Sequence, residues 1–276
     1  MKNLIYSSNK VDFEAVKAIK TPAPNWMRKE DAEGKGNHFP IPHDRLINEA
    51  RQSLKENGFT IEQEEHGLSQ ADMNCFSGFA LSKSGFDSEE RQLVMGLRNS
   101  HNKTFASSLA IGNSMMVCEN LCFSSDVTLA RRHTKNIFKD LPFLFNKAIG
   151  QIQQTWDNQG KRIEAYKNTE ADEVSILNKL VKAGLIKAGK IESIFDNIEN
   201  GGVDKDGNEG AFSEYKGTLW NLYNAVTESF KSVTANQIMQ LPRMTMQAQQ
   251  IFDRMVNPVE VVISQDDRES ALILPA

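Results

Sequence analysis

Residues 59–100 read FTIEQEEHGLSQADMNCFSGFALSKSGFDSEERQLVMGLRNS, and this stretch contains three segments with the pattern of β-strands. The segments cover 59–68, 75–84 and 91–100. In the first of them apolar residues alternate with polar ones, as in a strand that buries one face. SQADMN and GFDSEE separate the segments and have the length and turn residues of hairpin connections. We therefore predict consecutive antiparallel strands.

The flanking residues extend this pattern on both sides. A helix is predicted over 43–57, because Leu46, Ile47, Ala50 and Leu54 form one apolar stripe and Gly58 stands at the expected stop. Downstream, 105–113 is predicted to form a short helix or turn. MMVCENLCF and VTLARRHT are predicted to form a strand pair or one bent strand, broken at residues 124–126.

From residue 136 onward the apolar residues recur with helical spacing. We predict one long amphipathic helix that begins near Pro142, continues to Tyr166 and bends at Gly160. Further helices are predicted over 174–186, 188–200, 217–233 and 235–255. Pro142 suits a first helical turn, whereas Pro242 should interrupt the last helix.

These elements predict an α+β fold, with a mostly antiparallel sheet in the N-terminal half and amphipathic helices in the C-terminal half. Strands first and helices afterwards favour helices placed on one face or at one end of the sheet. Residues 1–42 hold four of the eight prolines, so we predict an extended N-terminal arm that can dock through Trp26. The predicted units are the arm 1–42, one α+β domain 43–256 (sheet 59–135, helical part 136–256) and a tail 257–276 that adds an edge strand.

Composition narrows the class of protein. The 276 residues carry a net charge of −4, with 39% hydrophobic and 25% charged residues, as in a soluble globular protein. No apolar run is long enough to cross a bilayer, and the N-terminus lacks the apolar core of a secretory signal. Three cysteines cannot all pair within one chain, so we expect free thiols, a cytoplasmic location and no membrane partner. Cys118 and Cys122 are expected to be buried thiols rather than half of a zinc site.

The charge is unevenly distributed. Residues 93–139 hold six Arg and Lys against two acids, which gives 6 − 2 = +4, so the rest of the chain carries −8. We call this segment the basic island, and we predict that it binds nucleic acid through phosphate contacts. The predicted binding residues are Arg98, His101, Lys103, Arg131, Arg132, His133 and Lys135. The alternative is that Arg131 and Arg132 pair with acidic residues of the same chain.

No motif identifies a reaction. Ser, His and Asp residues occur without a G-x-S-x-G elbow or an H-E-x-x-H signature, so we assign no catalytic residue and rank an enzyme third among the function classes. In the loop 201–215, Asp204, Asp206 and Asn208 match the start of a calcium-binding loop. Glu209 then replaces its required Gly, so an acidic turn is the interpretation. We predict no metal and no cofactor.

Two segments together resemble a known family. LRNSHNKT…MMVCENLCFSSDVTLARRHT (97–134) and GTLWNLYNAVTE (217–228) are similar to the core and the C-terminal signature of the "phage/plasmid-like protein" family, a domain of unknown function (DUF932). Members usually continue the second motif with an aromatic residue and Asp-His, where this chain has Ser229-Phe230-Lys231. The resemblance spans roughly 75–230 and implies a protein of a phage or prophage. It implies no activity.

The second segment predicts a buried polar network. Asn224 and Thr227 interrupt an otherwise apolar helical face and would need partners if they are buried. We expect these partners near 98–103, which would join both family segments in one site. The predicted members are Asn99, Trp220, Tyr223, Asn224 and Thr227.

We therefore expect a phage accessory protein that binds nucleic acid, with single-stranded DNA favoured, in recombination or strand protection. Self-assembly is expected as well, because Met239, Met244, Met246 and Met255 lie among glutamines on a weakly charged late helix. The alternative is a non-enzymatic protein-binding or scaffold protein that acts on a host factor or a defence system.

Overall fold

A six-stranded antiparallel sheet forms the centre of the molecule, and its strand order follows the chain. The computed structural model describes residues 4–5, 9–24, 38–86, 88–115, 120–202, 208, 210–231 and 240–256, with the backbone alone for 124–129. The strands are β1 (Lys10–Val11), β2 (Thr60–Ser69), β3 (Asn74–Ser82), β4 (Arg91–Ser100), β5 (Ser107–Met115) and β6 (Leu121–Arg131).

Two helices precede β2 and the remaining helices follow β6. They are α1 (Phe13–Lys17), α2 (His43–Glu56), α3 (Ile137–Gly150), α4 (Ile152–Lys167), α5 (Glu173–Lys182), α6 (Ile191–Asn200), α7 (Leu219–Ser229) and α8 (Leu241–Asp253). Short 3₁₀ turns stand at Ala188–Lys190 and Ser213–Tyr215. The predicted α+β class is confirmed: the antiparallel sheet lies in the N-terminal half and most helices lie in the C-terminal half.

The prediction of a helix or turn over 105–113 is wrong, because this segment contributes most of β5. Small side chains and two-sided burial explain the error: the strand SSLAIGNSM is buried at nearly every position, so it has no alternation to detect. Strand β6 is one continuous strand, and its pairing with β5 shifts register between Ala110 and Gly112. A single bent strand was one of the two predicted alternatives for this region.

Helices cover both faces of the sheet, whereas the sequence pattern predicts one face or one end. Along β4, Leu93, Met95 and Leu97 pack with α2 and α3, and Val94 between them packs with the later helices. Alternate residues of a strand point to opposite faces, so a strand that is apolar at successive positions needs an apolar layer on each side.

The predicted long helix after residue 136 is two helices. Helix α3 begins at Ile137, before Pro142, and ends at Gly150, and α4 starts again at Ile152. Helix α4 continues without interruption through Gly160, where we predicted a bend. A Cβ at Gly160 would lie 2.9 Å from Nη2 of Arg91, which crosses the helix at this point. The Arg91 guanidinium lies 3.8 Å from the ring centroid of Trp156 and donates to its carbonyl oxygen at 2.9 Å.

Pro242 is tolerated at the second position of α8, because a proline in the first turn removes no helical hydrogen bond. The predicted helix start at residue 235 and Met239 lie outside the described residues. The tail 257–276, Trp26, Cys118 and the loop residues Asp204 and Asp206 also lie outside them.

The described parts of residues 1–42 pack against the sheet. The buried amides of Leu4 and Ile5 both donate to Oε2 of Glu65 at 2.8 Å, and β1 pairs with β2. Ile41, just before α2, is fully buried in the core between α2 and the sheet. Residues 38–41, which lead into α2, therefore lie at the end of β4, next to the candidate site.

The two edges of the sheet differ in how they end. Strand β1 pairs through two residues only. At the other edge α8 packs along β6, and the backbone amide of Phe123 donates to Oγ1 of Thr245 at 3.2 Å. A side chain of α8 therefore accepts the hydrogen bond of the Phe123 backbone N–H at this edge of the sheet.

The thiols of Cys75 and Cys122 are buried, and neither forms a disulfide within the described part of the chain. Burial raises the pKa of the Cys75 thiol to about 12, which keeps it protonated at neutral pH. Within the described ranges, no helix combines the length and the apolar character needed to cross a membrane.

Gly96 provides a test of the packing between the sheet and the later helices. A Cβ at this position would lie 2.7 Å from Cε1 of Phe123, whose ring is buried. We expect Gly96→Ala to lower the free energy of unfolding by about 1–3 kcal/mol through overpacking. The measurement is urea denaturation, with Gly150→Ala as the control because its added methyl group meets open space. Equal stability of both variants would contradict this packing.

Candidate functional site

The basic residues at 98–103 and those at 131–135, two groups within the basic island, lie at the same end of the sheet. Strand β5 runs between β4 and β6, and its first residues pair with the last residues of both neighbours. Ser108 lies opposite Arg98, and Ser107 lies opposite Arg131. The turn 101–106 and the segment that follows β6 therefore emerge side by side.

A cleft of about 450 Å³ opens at this end of the sheet, and we call it the sheet-end cleft. Its lining residues are His38, Lys103, Phe105, Ala106, Arg132, His133 and Thr134. Lys103 and Arg132 are exposed, and Lys135 is exposed next to Thr134 in the chain. Among the described residues, the lining includes no Asp or Glu. The cleft is therefore positively charged, although the chain carries −4.

Two arginines of the island are engaged within the protein. Nε and Nη2 of Arg131 donate to Oδ2 of Asp140, at 3.1 and 2.5 Å. This ion pair is the internal pairing that the sequence left as the alternative for Arg131. Arg98 points to the opposite face of the sheet from Asn99, and its Nε donates to Oγ of Ser108 at 2.6 Å.

Beneath the sheet-end cleft lies a buried network that the sequence did not predict as a unit. Nδ2 of Asn99 donates to the carbonyl oxygen of Ile41 and to Nδ1 of His43, both at 2.8 Å. The Ser107 hydroxyl lies 2.7 Å from Oδ1 of Asn99 and 2.8 Å from Nε2 of His133. The side chains of Asn99, Ser107 and His133 are at most 5% exposed. We call this the Asn99 network.

The histidine rings stack in two pairs. His43 lies on His101 with ring centroids 3.8 Å apart and planes 6° apart, and His38 lies on His133 at 5.1 Å and 9°. Nε2 of His101 lies 2.7 Å from the carbonyl oxygen of Ile41. Four of the five histidines therefore meet at this end of the sheet.

One set of proton positions satisfies the contacts of the three buried histidines at this end of the sheet, His43, His101 and His133. Because Asn99 donates to Nδ1 of His43, the His43 proton is on Nε2, which faces the carbonyl oxygen of Asp72 at 3.1 Å. The Ser107 hydroxyl proton goes to Asn99, so Nε2–H of His133 donates to the Ser107 oxygen. His101 likewise donates from Nε2.

Burial, together with the neighbouring histidines, lowers the pKa of His43 and His133 to about 3. The pKa of His101 is also lowered, mainly by burial. The Nδ1 atoms of His101 and His133 have no hydrogen-bond partner among the described residues, so a second ring proton would stay unsatisfied. These three rings are neutral near pH 7, and Lys and Arg supply the positive charge of the cleft.

The Asn99 network gives no indication of catalysis. Ser107 and His133 lie within hydrogen-bond distance, but the serine is buried and its proton is directed to Asn99 instead of the imidazole. Across the described part of the chain, no group of three or more His, Cys, Asp or Glu side chains is arranged to hold a metal ion. The network holds the wall of the cleft in place.

The polar residues of α7 form a separate network. Asn224 and Thr227 are buried, and Nδ2 of Asn120 donates to the Asn224 carbonyl oxygen and to Oγ1 of Thr227, both at 3.1 Å. Trp220 and Tyr223 stack beside them with centroids 6.0 Å apart. The expected partners at 98–103 are not the ones found. Asn120 lies between β5 and β6, at the other end of the sheet from Asn99.

The residues that sequence reasoning missed come from outside the basic island. His38 and His43 belong to the segment HFPIPH, which holds two of the five histidines and was assigned to the arm and to the start of a helix. Ser107 was assigned to a helix or turn. His38 and His43 in this short segment were the signal that the sequence offered, but only the fold shows that they lie at the end of β4.

The low pKa of the buried histidines predicts a loss of stability in mild acid. A histidine whose pKa falls from 6.5 to about 3 on folding binds fewer protons folded than unfolded between these values, so stability decreases as pH falls below 6.5. We expect a loss of about 2 kcal/mol for each of His43 and His133 between pH 7.5 and 5.

Urea denaturation across this pH range measures the effect. His133→Gln should be less stable than the wild type at pH 7.5 but should lose about 2 kcal/mol less on acidification. An unchanged pH dependence in this variant would contradict the buried neutral state of His133.

Asn224, in the middle of α7, should matter more for stability than Lys231, which follows the end of that helix. Asn224 is 1% exposed and its Nδ2 donates to the Trp220 carbonyl oxygen at 2.8 Å, whereas Lys231 forms a half-buried ion pair with Glu228. We expect Asn224→Ala to cost about 1–3 kcal/mol and Lys231→Ala less than about 1 kcal/mol. Thermal and chemical denaturation of both variants checks this, and equal losses would argue against the α7 network.

Comparison with known proteins identifies a family. A model of the family described as "Domain of unknown function (DUF932)" matches residues 37–257. No curated protein and no solved structure matches the chain. The matched region covers the sheet from β2 to β6, the sheet-end cleft and all helices after α1, and the chain therefore belongs to the DUF932 family.

Proposed function

We propose that this protein binds single-stranded nucleic acid at the sheet-end cleft. One observation carries the proposal: Lys103 and Arg132 are exposed and both line a cleft of about 450 Å³ whose described lining has no carboxylate. Two exposed cations in one cleft without a described counter-anion favour a ligand with repeated negative charges, such as a phosphate backbone.

The other groups of the cleft suit a single strand. Thr134 offers a hydroxyl that can donate to a phosphate oxygen, as neutral contacts to the backbone commonly do. Phe105 and His38 provide ring surfaces, and an unpaired base can stack on such a surface whatever its sequence. A duplex keeps its bases stacked internally and would gain only the phosphate contacts.

The rigidity of the cleft supports the same function. His133 is held by Ser107 at 2.8 Å and stacks on His38, so one wall of the cleft is fixed before any ligand binds. A preorganised site loses less conformational entropy on binding than a mobile one. Arg131 contributes indirectly, because its ion pair with Asp140 anchors the residue before Arg132 to α3.

The biological setting is part of the proposal and rests on the resemblance to the phage/plasmid-like family. We propose an accessory protein of a phage or prophage that acts in the host cytoplasm, in strand protection or recombination. Self-assembly would place several sheet-end clefts along one strand, which would compensate for the acidic body of each copy.

The proposal predicts a salt-dependent affinity that depends on Lys103 and Arg132. Each phosphate contact contributes about −0.7 to the slope of log affinity against log salt for a single strand. We expect Lys103→Ala/Arg132→Ala to weaken binding and to reduce the magnitude of this slope by about 1.4, for two contacts. Fluorescence anisotropy with labelled single-stranded and duplex DNA across a salt series measures both quantities.

The matched control is Lys55→Ala/Lys161→Ala, which removes two exposed positive charges on α2 and α4, outside the cleft. It should keep the wild-type slope to within the error of the measurement. If the wild type does not bind single-stranded DNA at low salt, or if both double variants lose the same affinity, the sheet-end cleft is not a nucleic-acid site.

A further inference from the structure

A second positively charged cleft lies among the later helices. Its volume is about 520 Å³, and it is formed by the segment after α5, the end of α7 and the start of α8. Lys187, Lys190 and Arg243 contribute its charged groups, and the described lining includes no Asp or Glu. We call it the helical cleft. Ser229, Gln240 and Gln247 add neutral polar groups to its wall.

Shared residues connect the helical cleft to the sheet-end cleft. Phe105 lines the sheet-end cleft, and the guanidinium carbon of Arg98 lies 4.9 Å from the centroid of its ring. Arg98 and Arg243 line one small cavity together with Ser108, and Arg243 also lines the helical cleft. These shared contacts connect the residues in the order Lys103, Phe105, Arg98, Arg243 and Lys187.

The charge along this path has one sign. Arg98 and Arg243 line the same small cavity, and the pKa of the Arg98 guanidinium is lowered by burial and then by the positive charge of Arg243. Holding like charges together costs free energy that an anion between them would recover. In a chain with a net charge of −4, a row of cations across two clefts is unlike the average surface.

We propose that one nucleic-acid strand occupies both clefts, passing from the sheet-end cleft over Phe105 and Arg98 to Arg243 and the helical cleft. This inference rests on the proposed function and extends it, because it assigns a binding path and a minimum ligand length. A strand of a few nucleotides fills the sheet-end cleft alone. A longer strand adds phosphate contacts at Lys187 and Arg243, so affinity and salt dependence both increase with length.

The test compares single strands of about four and about twenty nucleotides, which span the range of site sizes for such binding surfaces. The variant is Lys187→Ala/Arg243→Ala, which changes two exposed side chains. Lys55→Ala/Lys161→Ala again serves as the control for the loss of two positive charges. Anisotropy across a salt series gives the affinity and the slope, and thermal melting checks that each variant folds.

The expected result is a difference that depends on length. With the long strand, Lys187→Ala/Arg243→Ala should lower the magnitude of the salt slope by about 1.4, so the loss of affinity between 50 and 200 mM salt shrinks about seven-fold. With the short strand, the variant should bind as the wild type does. The control should match the wild type at both lengths.

Other outcomes overturn the inference and separate it from the proposed function. If Lys187→Ala/Arg243→Ala matches the control at both lengths while Lys103→Ala/Arg132→Ala loses binding, the strand stays in the sheet-end cleft and only the path is wrong. If the wild type binds neither strand, the proposed function fails and the path fails with it. If a poly-glutamate peptide competes as well as the long strand does, the helical cleft accepts acidic protein segments and is no part of a nucleic-acid path.

Discussion

The side chain of Asn99 joins three parts of the chain at the end of the sheet. Its amide nitrogen holds the Ile41 carbonyl oxygen and His43, and its amide oxygen accepts from Ser107. The approach to α2, the start of that helix and the start of β5 are therefore positioned by one buried residue. An unpaired buried amide costs about 1–3 kcal/mol, so separating these segments from Asn99 is unfavourable by about that amount. These contacts of Asn99 position the walls of the sheet-end cleft.

Much of the fold follows from local pattern, and the site follows from it only in part. Helix α2 and strands β2 to β4 could be predicted because each has a clear period or clear turn residues at its ends. Strand β5 could not, since two-sided burial removes the alternation that marks a strand. Once β4, β5 and β6 are known to be neighbours, it follows that the basic residues at 98–103 and 131–135 lie at the same end of the sheet. The pairing of Arg131 with Asp140, the arrival of His38 and the closeness of Arg98 to Arg243 depend on long-range packing that no local pattern encodes.

The two faces of the sheet differ in polarity and charge at this end of the molecule. On the α2 side, Asn99 and neutral histidines form a buried polar layer that gives rigidity without charge. On the other side, Arg98 lies below Phe105 and next to Arg243, where charge accumulates. Because strand residues alternate between faces, Arg98 and Asn99 can serve both layers from adjacent positions.

The edge of the sheet at β6 limits how copies of this chain can associate. At this edge α8 packs along the strand, and the amide of Phe123 is already occupied by Thr245 of that helix. β-Augmentation needs a row of free strand-edge donors and acceptors, so a strand from a second copy would first have to displace α8. Copies that meet at this edge would therefore dock through the helix, and their sheets would stay discontinuous. Such an assembly could dissociate and reform around a ligand without breaking the hydrogen bonds that hold each sheet together.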